Sequence, residues 1–347
     1  MQADGKTFTF GKCLGKGGFS EVWLAEDGAK AAVAIKCVPR NTSHPDALKD
    51  LHHEVRTLSQ LDHPNVVKLR IPALVQTPTH CFAVLEHAPR GDLCDALSLL
   101  GAPLEPEAVK AHFRQLLSGV AYLHREGVAH QDLKPDNILL MEDGRLCLAD
   151  FGLSGKLSAG IRLRRCGTVE YMAPEALELH NGLAGYRGTE RDMWSLGIIL
   201  HKLWYGVLPF DACSSDRTDP AHQIVRQIRE YYRTGHLAFP NRKGVVSDAR
   251  RRQTPDVNDL IRRLLSPVPK ERPAAWETLN CPWLSGRQTP PQQPPAPAQA
   301  TPPPAPAAQP QQQQQEERKQ SPQLRPARGV AQVAGTNCSS KSYCVIL

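Results

Sequence analysis

Four polar side chains at fixed spacing carry the strongest chemical signal in the sequence. Asp132, Lys134 and Asn137 lie in the run HQDLKPDN, and Asp150 begins a DFG tripeptide eighteen residues after Asp132. A carboxylate can accept a proton, an ammonium group can neutralise phosphate charge, and carboxylate and amide oxygens are suitable Mg²⁺ ligands. In this order the groups fit transfer of a phosphoryl group from ATP to a hydroxyl, with Asn137 and Asp150 as metal ligands.

A second charged pair of positions lies closer to the N-terminus. Lys36 ends the run VAIK, in an apolar segment that predicts a strand. Leucine and valine recur at helical spacing over residues 48–58, and Glu54 borders that apolar stripe. A carboxylate in such a position is costly without a partner, so Glu54 needs a cation. Taken alone, Lys36 is most simply a surface lysine on an edge strand.

Glycines cluster between two predicted strands. Gly15, Gly17 and Gly18 lie in the run GKGGFSEV, together with Ser20 and Val22. Glycine lets the backbone approach a phosphate group and point its N–H groups at it. The same composition is typical of an ordinary hairpin turn, and by itself the turn is the simpler interpretation.

Composition separates a folded part from a tail. The chain has 347 residues and a net charge of +7. From residue 286 onward proline, glutamine and alanine dominate, and this stretch holds six basic and two acidic residues, which is more than half of the charge excess. The rest is only mildly basic, which argues against nucleic acid as a partner. The tail cannot bury enough apolar surface to fold, so we expect it to be disordered.

Cysteine usage and hydropathy indicate a cytoplasmic protein. The ten cysteines show neither CxxC pairs nor metal-ligand spacing, and no apolar run is long enough to span a bilayer. We therefore expect reduced, mostly buried thiols.

The hydrophobic pattern predicts a small sheet followed by a larger helical part, which is an α+β, two-lobed architecture. Amphipathic helices are expected over residues 48–58 and 109–123, and a buried helix over 194–204. Residues 211–256 resist a detailed interpretation, and their basic run at 250–252 is most simply a solvated face. Strands are expected at residues 7–10, 21–24, 31–38 and 82–85.

The motifs together resemble those of the eukaryotic protein kinase family. HQDLKPDN, DFG and the APE tripeptide at residues 173–175 follow the family's order, and the resemblance covers residues 8–284. It implies a catalytic domain with an N-lobe at 8–87 and a C-lobe at 91–284, followed by the tail at 286–347. It also implies ATP and Mg²⁺ as cofactors.

The resemblance assigns roles to matching positions of this sequence. Lys36 would pair with Glu54 and be held against the α- and β-phosphates. Glu86 and Ala88 would offer backbone groups to adenine, with Leu85 as gatekeeper. The other implied nucleotide contacts are Leu14, Gly15, Gly17, Gly18, Ser20, Val22, Ala34 and Leu139.

Three more positions are implied as scaffold. Glu175 and Arg272 would form an ion pair beneath the activation segment, and Asp192 would hold the catalytic-loop backbone. Because every catalytic position is filled, the sequence favours a working enzyme over the alternative, a catalytically silent nucleotide-binding adaptor.

Details of the motifs favour serine/threonine acceptors on protein substrates. Lys134, and Thr168 after Gly167, resemble serine/threonine kinases, and Thr168 would brace Asp132 and Lys134. Asp92 and Asp136 lie where related kinases place acids that meet an upstream arginine, which gives the hypothesis of a basic substrate consensus.

Two departures from the family pattern occur together. Position 131, often the arginine that grips a loop phosphate, is Gln131, and the usual phosphorylated position is Arg164. Both the arginine that would bind the loop phosphate and the residue that would carry it are replaced in this sequence, so we expect activity without activation-loop phosphorylation. The alternative is control through another loop site, such as Ser154 or Ser158.

The last four residues, Cys-Val-Ile-Leu, fit a prenylation box in which Cys344 carries the lipid. One chain binds membranes reversibly, and Cys338 or nearby basic residues would add a second signal. We therefore expect a cytoplasmic protein attached peripherally to a membrane. The proline-rich tail also suggests partners with proline-reading domains, although a plain linker is the simpler interpretation.

Overall fold

The computed structural model of the chain describes residues 2–3, 6–42, 44, 46–156, 169–177, 188–212, 218–240 and 248–285. Within them an antiparallel sheet with one helix forms the N-lobe and helices dominate the C-lobe, which confirms the expected α+β, two-lobed class. The tail at residues 286–347, which the sequence predicts to be disordered, lies outside the described residues.

The N-lobe is a five-stranded antiparallel sheet in the order β3-β4-β5-β7-β6. Its central strand β5 is nearly continuous in apolar residues and is buried on both faces, as its composition predicts. A small hairpin precedes the sheet. The strands are β1 (Gln2–Ala3), β2 (Lys6–Thr7), β3 (Thr9–Lys16), β4 (Glu21–Glu26), β5 (Ala32–Pro39), β6 (Leu69–Gln76) and β7 (His80–Glu86).

Strand β6 was not expected from the pattern. Pro72 lies inside it and has no N–H group to donate, and the pairing with β7 shifts register between Leu69 and Leu74. Edge position explains why the sheet tolerates this residue, because one side of an edge strand has no partner strand.

Helix α1 (Ala47–Leu58) packs its apolar stripe on the sheet. Leu51 and Val55 contact Val38, Cys81 and Ala83 in one buried cluster. The expected helix is confirmed, and its register turns Glu54 inward, where only 1% of it is exposed.

The C-lobe is built around helix α5, which is buried nearly all round as the sequence predicts. Asp92 caps α2 by accepting a hydrogen bond from Asp95 N–H, and Gly101 ends that helix in the left-handed conformation. The helices are α2 (Leu93–Leu100), α3 (Pro106–Arg125), α4 (Pro174–Leu177), α5 (Gly188–Tyr205), α6 (Pro220–Thr234), α7 (Asp248–Leu264), α8 (Ala275–Leu279) and α9 (Pro282–Ser285).

Two pairs of short strands position the loops that carry the polar motifs. Strand β9 (Ile138–Leu140) pairs with β10 (Leu146–Leu148), and β8 (Val128–Ala129) pairs with β11 (Gly155–Lys156). The HQDLKPDN run therefore connects β8 to β9, and the DFG tripeptide lies between β10 and β11. Each of these two loops connects one strand pair to the other, so the side chains of the two loops lie close together.

The interpretation of residues 250–252 as a solvated face was wrong for Arg250. Its guanidinium donates to Trp204 O and Leu104 O and lies 4.6 Å from the centre of the Trp204 ring. A planar guanidinium can stack on an aromatic face while donating at its edge, which explains an arginine at this half-buried position. Arg252 is exposed.

Six cysteines lie in the described residues and all are free thiols, as expected. Four of them are buried: Cys37, Cys81, Cys147 and Cys281. Within the same residues, no helix combines the length and the apolar character that crossing a bilayer requires.

Candidate active site

Lys36 joins the two lobes through a pair of carboxylates. Its Nζ lies 2.7 Å from Glu54 Oε2 and 3.0 Å from Asp150 Oδ1. Strand β5 supplies the lysine, helix α1 supplies Glu54, and the loop after β10 supplies Asp150. The sheet, the helix and the C-lobe loop therefore converge on one ammonium group.

The charges of this cluster are mutually stabilised. The positive charge of Lys36 lowers the pKa of Asp150 to about 2, against the effect of burial. Burial opposes the charged form of Lys36, but Asp150 and Glu54 outweigh it and raise the lysine pKa. Burial raises the pKa of Glu54, and Lys36 counteracts that shift. At neutral pH Lys36 is cationic and Asp150 is anionic.

Asp132 is held for proton acceptance by its own loop. Asn137 Nδ2 donates to Asp132 O at 2.8 Å and to Asp132 Oδ2 at 2.9 Å, and Lys134 Nζ lies 3.2 Å from the same Oδ2. Asp132 Oδ1 has no hydrogen-bond partner within the described part of the chain, which leaves it available to an acceptor hydroxyl. Burial raises the pKa of Asp132 although Lys134 opposes the shift, and a raised pKa makes the carboxylate a better base.

Asp192, at the start of α5, fixes the backbone of this loop as predicted. Its Oδ2 accepts from His130 N–H at 2.9 Å and its Oδ1 accepts from Gln131 N–H at 2.7 Å. His124 Nε2 lies 2.9 Å from the same Oδ2, a contact that the sequence did not suggest. These bonds hold Gln131 at a φ of 67°, a conformation that costs energy for a residue with a side chain.

The catalytic loop and the DFG segment are joined directly. Ala149 N–H donates to Asn137 O at 2.9 Å, and His130 Nε2 lies 3.0 Å from Ala149 O. The Phe151 ring is fully buried, with its centre 4.8 Å from that of His130. This packing turns Asp150 toward Lys36.

The residues assigned to adenine gather on an apolar surface. Ala34 and Leu85 are buried in one cluster, and Val22 and Leu139 pack against it. Leu14 lies on β3 with 40% of its surface exposed, outside that cluster. Of the segment after β7, Glu86 is buried and Ala88 is partly buried.

The glycine-rich run forms the turn between β3 and β4. Gly17 N–H donates to Ser20 O at 2.8 Å, which closes the turn. Gly15, Gly17 and Gly18 are exposed and Ser20 is partly buried. An exposed glycine backbone at this place can approach a phosphate group, as the phosphate-binding interpretation requires.

The donor atoms around Asp150 fit Mg²⁺. Asn137 uses its Nδ2 for two hydrogen bonds to Asp132, and Asn137 Oδ1 has no partner in the described residues. Asp150 Oδ1 binds Lys36, and Asp150 Oδ2 has no partner in the same residues, so both oxygens could bind a metal. The described residues contain no group of three or more His, Cys, Asp and Glu side chains placed to hold a metal. Two protein oxygens completed by water and phosphate are a usual Mg²⁺ arrangement.

Gln131 is already engaged within the protein. Its Oε1 accepts from Arg191 Nη1 at 3.3 Å. A Cβ added to Gly155 would lie 2.2 Å from Gln131 Nε2, so a larger residue there would require the Gln131 amide to move. The uncharged amide of Gln131 is therefore already bonded to a cationic side chain of α5.

Ser154 is a poor phosphorylation site in this arrangement. It is fully buried, and its Oγ donates to Phe151 O at 2.7 Å. Arg164, Ser158, Thr168, Cys338 and Cys344, to which other expectations apply, lie outside the described residues.

The predicted scaffold ion pair is present and buried. Arg272 Nη1 and Nη2 donate to Glu175 Oε1 and Oε2 at 2.6 and 2.9 Å, and the side chains are 0% and 5% exposed. The two-pronged geometry satisfies both charges without water.

A family model for the protein kinase domain matches residues 8–284. This chain belongs to the protein kinase family. The match covers both lobes and every residue of the site described above, so the fold and the geometry are those of a kinase domain.

Its curated relatives are serine/threonine kinases and other kinases. CBL-interacting serine/threonine-protein kinase 5 of Arabidopsis thaliana is 32% identical over 82% of this chain and 59% of its own length. Sperm motility kinase 2B of Mus musculus is 32% identical over 78% and 50%. Maternal embryonic leucine zipper kinase of Xenopus laevis is 34% identical over 80% and 39%. The chain spans between about two fifths and three fifths of these relatives.

The Lys36–Glu54 pair yields a stability prediction. Lys36→Met should lower the free energy of unfolding by about 3 kcal/mol or more, because it leaves a buried carboxylate without its cation. Lys36→Met combined with Glu54→Leu should recover part of that loss, because no buried carboxylate is then left on α1, whereas the contacts to Phe151 N–H and Asp150 are still lost. Chemical denaturation without nucleotide measures both.

The matched control is Lys16→Met, which removes the exposed partner of Glu21 and should cause no measurable change. If the double variant is as unstable as the sum of its single variants, the two side chains do not form a coupled pair.

Proposed function

We propose that this protein is an ATP- and Mg²⁺-dependent serine/threonine protein kinase. The observation that carries the proposal is the convergence of Lys36, Glu54 and Asp150 at 2.7 and 3.0 Å beside the Asp132–Asn137 loop. A catalytically silent adaptor has no need of an ionised Asp150, a braced Asp132 and a paired Lys36 together. The names of the relatives support serine and threonine as acceptors.

The residues divide the work of phosphoryl transfer. Lys36, held by Glu54, orients the α- and β-phosphates. Asp132 Oδ1 orients the acceptor hydroxyl and takes its proton, and Lys134 neutralises charge that develops on the transferred group. Mg²⁺, when held by Asn137 and Asp150, offsets the negative charge of the triphosphate.

Asp132→Asn tests the catalytic assignment. Transfer of labelled γ-phosphate to a serine/threonine peptide should fall by about 10²- to 10⁴-fold, because the amide cannot accept the proton. Affinity for Mg·ATP should remain within a fewfold of wild type, since Lys36 and Asp150 are untouched. A tyrosine peptide serves as the acceptor control. If the wild type transfers no more phosphate than the variant, the adaptor alternative is correct.

We also propose that activity does not need a phosphate on the activation loop. Gln131 carries no charge, its side chain contacts Arg191 and Gly155, and Arg164 replaces the usual acceptor. A phosphate near these groups would find no arginine at position 131 to bind it. In this proposal the bond between Gln131 and Arg191 takes the place of a charged pair with a loop phosphate.

Phosphatase treatment checks this second proposal. Purified protein, with dephosphorylation verified by intact mass, should keep its transfer rate within about twofold of the untreated sample, because no charged pair is lost. A relative with arginine at the position of Gln131 is the positive control for loss of activity. Abolished activity in the treated sample would show that a loop phosphate is required.

A third proposal concerns the tail and the location of the protein. Cys344 carries a prenyl group, and the tail tethers the kinase to a membrane as a flexible spacer. About 60 residues of flexible coil extend roughly 40 Å, which keeps the domain close to membrane-bound substrates. A single lipid binds reversibly, so a second signal such as palmitoylation at Cys338 would strengthen the attachment. The proline-rich stretches are proposed ligands for proline-reading domains.

Fractionation of cells that express wild type or Cys344→Ser tests the tether. The variant should move from the membrane fraction to the soluble fraction, because it lacks the thiol that the lipid needs. Ser342→Ala, outside the lipid-bearing position, is the control. Equal membrane content of wild type and Cys344→Ser would refute the lipid anchor and leave the catalytic proposal intact.

A further inference from the structure

Helix α1 reaches the segment after Asp150 with two consecutive side chains. Glu54 Oε1 accepts a hydrogen bond from Phe151 N–H at 3.3 Å. His53 Nε2 lies 2.7 Å from Ser154 O and 3.1 Å from Ser154 Oγ. The proposed function uses Glu54 and assigns no role to His53.

The direction of these bonds follows from their chemistry. A carbonyl oxygen can only accept, so the proton that His53 shares with Ser154 O lies on Nε2. Ser154 Oγ donates its own proton to Phe151 O at 2.7 Å, and Ser154 N–H lies 3.1 Å from the same oxygen. Donation therefore runs from His53 to Ser154 and from Ser154 to Phe151.

Phe151 is consequently tied to α1 at both of its backbone polar groups. Its N–H bonds Glu54 directly, and its C=O is bound by Ser154, which His53 holds in turn. Ser154 is fully buried, so water does not replace these bonds at low cost. The backbone just before Phe151 needs such support, because Asp150 has a φ of 60°.

The packing of α1 explains why a link of this kind is required. Its apolar stripe contacts the N-lobe sheet through Leu51 and Val55. That packing fixes the helix to the sheet but does not hold it to the C-lobe loop that carries Asp150. Polar contacts between α1 and the C-lobe loop must therefore keep the two together. Of these contacts, the one between His53 Nε2 and Ser154 O, at 2.7 Å, is shorter than the one between Glu54 Oε1 and Phe151 N, at 3.3 Å.

We propose that His53 is a positioning residue for phosphoryl transfer, which donates from Nε2 to Ser154 and so holds residues 150–154 and helix α1 where Lys36 bridges Glu54 and Asp150. The proposal rests on the kinase function proposed above. It also gives a contact that would order this region without a phosphate, namely the hydrogen bond from His53 to Ser154 between the helix and the start of the activation segment.

The neighbouring residue provides a matched control. His52 precedes His53 on the same helix, and its Nε2 is buried without a hydrogen-bond partner among the described residues. Replacing His52 by Phe preserves the ring and removes no bond within them. The same substitution at position 53 removes the donor to Ser154.

The experiment compares His53→Phe, His53→Gln, His53→Asn and His52→Phe with wild type. A glutamine amide nitrogen reaches the place of Nε2, whereas an asparagine amide reaches only that of Nδ1. We expect kcat/KM for ATP to fall about tenfold in His53→Phe and His53→Asn, the rate equivalent of one buried hydrogen bond. His53→Gln should recover most of the activity, and His52→Phe should match wild type. KM for the peptide acceptor should not change.

Hydrogen exchange of peptides covering residues 150–156 and 47–58, without nucleotide, gives a readout independent of activity. Exchange should quicken in His53→Phe and not in His52→Phe. Equal exchange in these two variants, or equal activity of His53→Gln and His53→Asn, overturns the proposal. An inactive wild type whose 150–156 segment still loosens in His53→Phe overturns the kinase function and retains the positioning contact.

Discussion

The charge of Lys36 is the interaction on which the rest of the structure depends. An ammonium group on a central strand, 14% exposed, must be compensated, and the compensation comes from helix α1 and from the loop after β10. Each carboxylate is brought by an element that packs elsewhere for apolar reasons. The two ion pairs of Lys36 therefore form only when helix α1 and the C-lobe loop are both in place. Displacement of the helix or of the loop leaves a carboxylate without its cation.

The same constraint extends into the backbone of the site. Asp150 and Gln131 both have φ values in the left-handed region, near 60° and 67°, and neither is glycine. Such conformations persist when the surroundings determine them, here through Lys36 at one residue and through Asp192 at the other. The Asp150 carboxylate is thereby directed to Lys36, and the residue after Gln131, Asp132, lies beside Lys134 and Asn137. Side chains held in this way reduce the reorganisation that catalysis would otherwise require.

Side-chain contacts of Gln131 and His53 lie around the start of the activation segment. Gln131 bonds Arg191 and covers Gly155, and His53 bonds Ser154. These contacts belong to the start of the activation segment and tie it to both α5 and α1. Under the proposal that activity needs no loop phosphate, these contacts would order that part of the site without an upstream enzyme. The location of the kinase would then become a main means of control, and the proposed lipid tether would supply it.

The sequence by itself determined the α+β class and the helices α1, α3 and α5, because apolar periodicity depends only on neighbours along the chain. It also predicted which residues form the site, because the motifs VAIK, HQDLKPDN and DFG resemble those of the protein kinase family. Even the need of Glu54 for a cation could be predicted from its place on a helical face.

Only the tertiary structure decided which side chains lie opposite one another. Strand β6 forms despite Pro72 because it occupies a sheet edge, and Arg250 finds carbonyl partners at Trp204 and Leu104, which are distant in the chain. His53 meets Ser154 across 101 residues of sequence. Periodicity tells which face of an element is buried, but the partner across that face is set by how separate elements pack, and no local pattern encodes that.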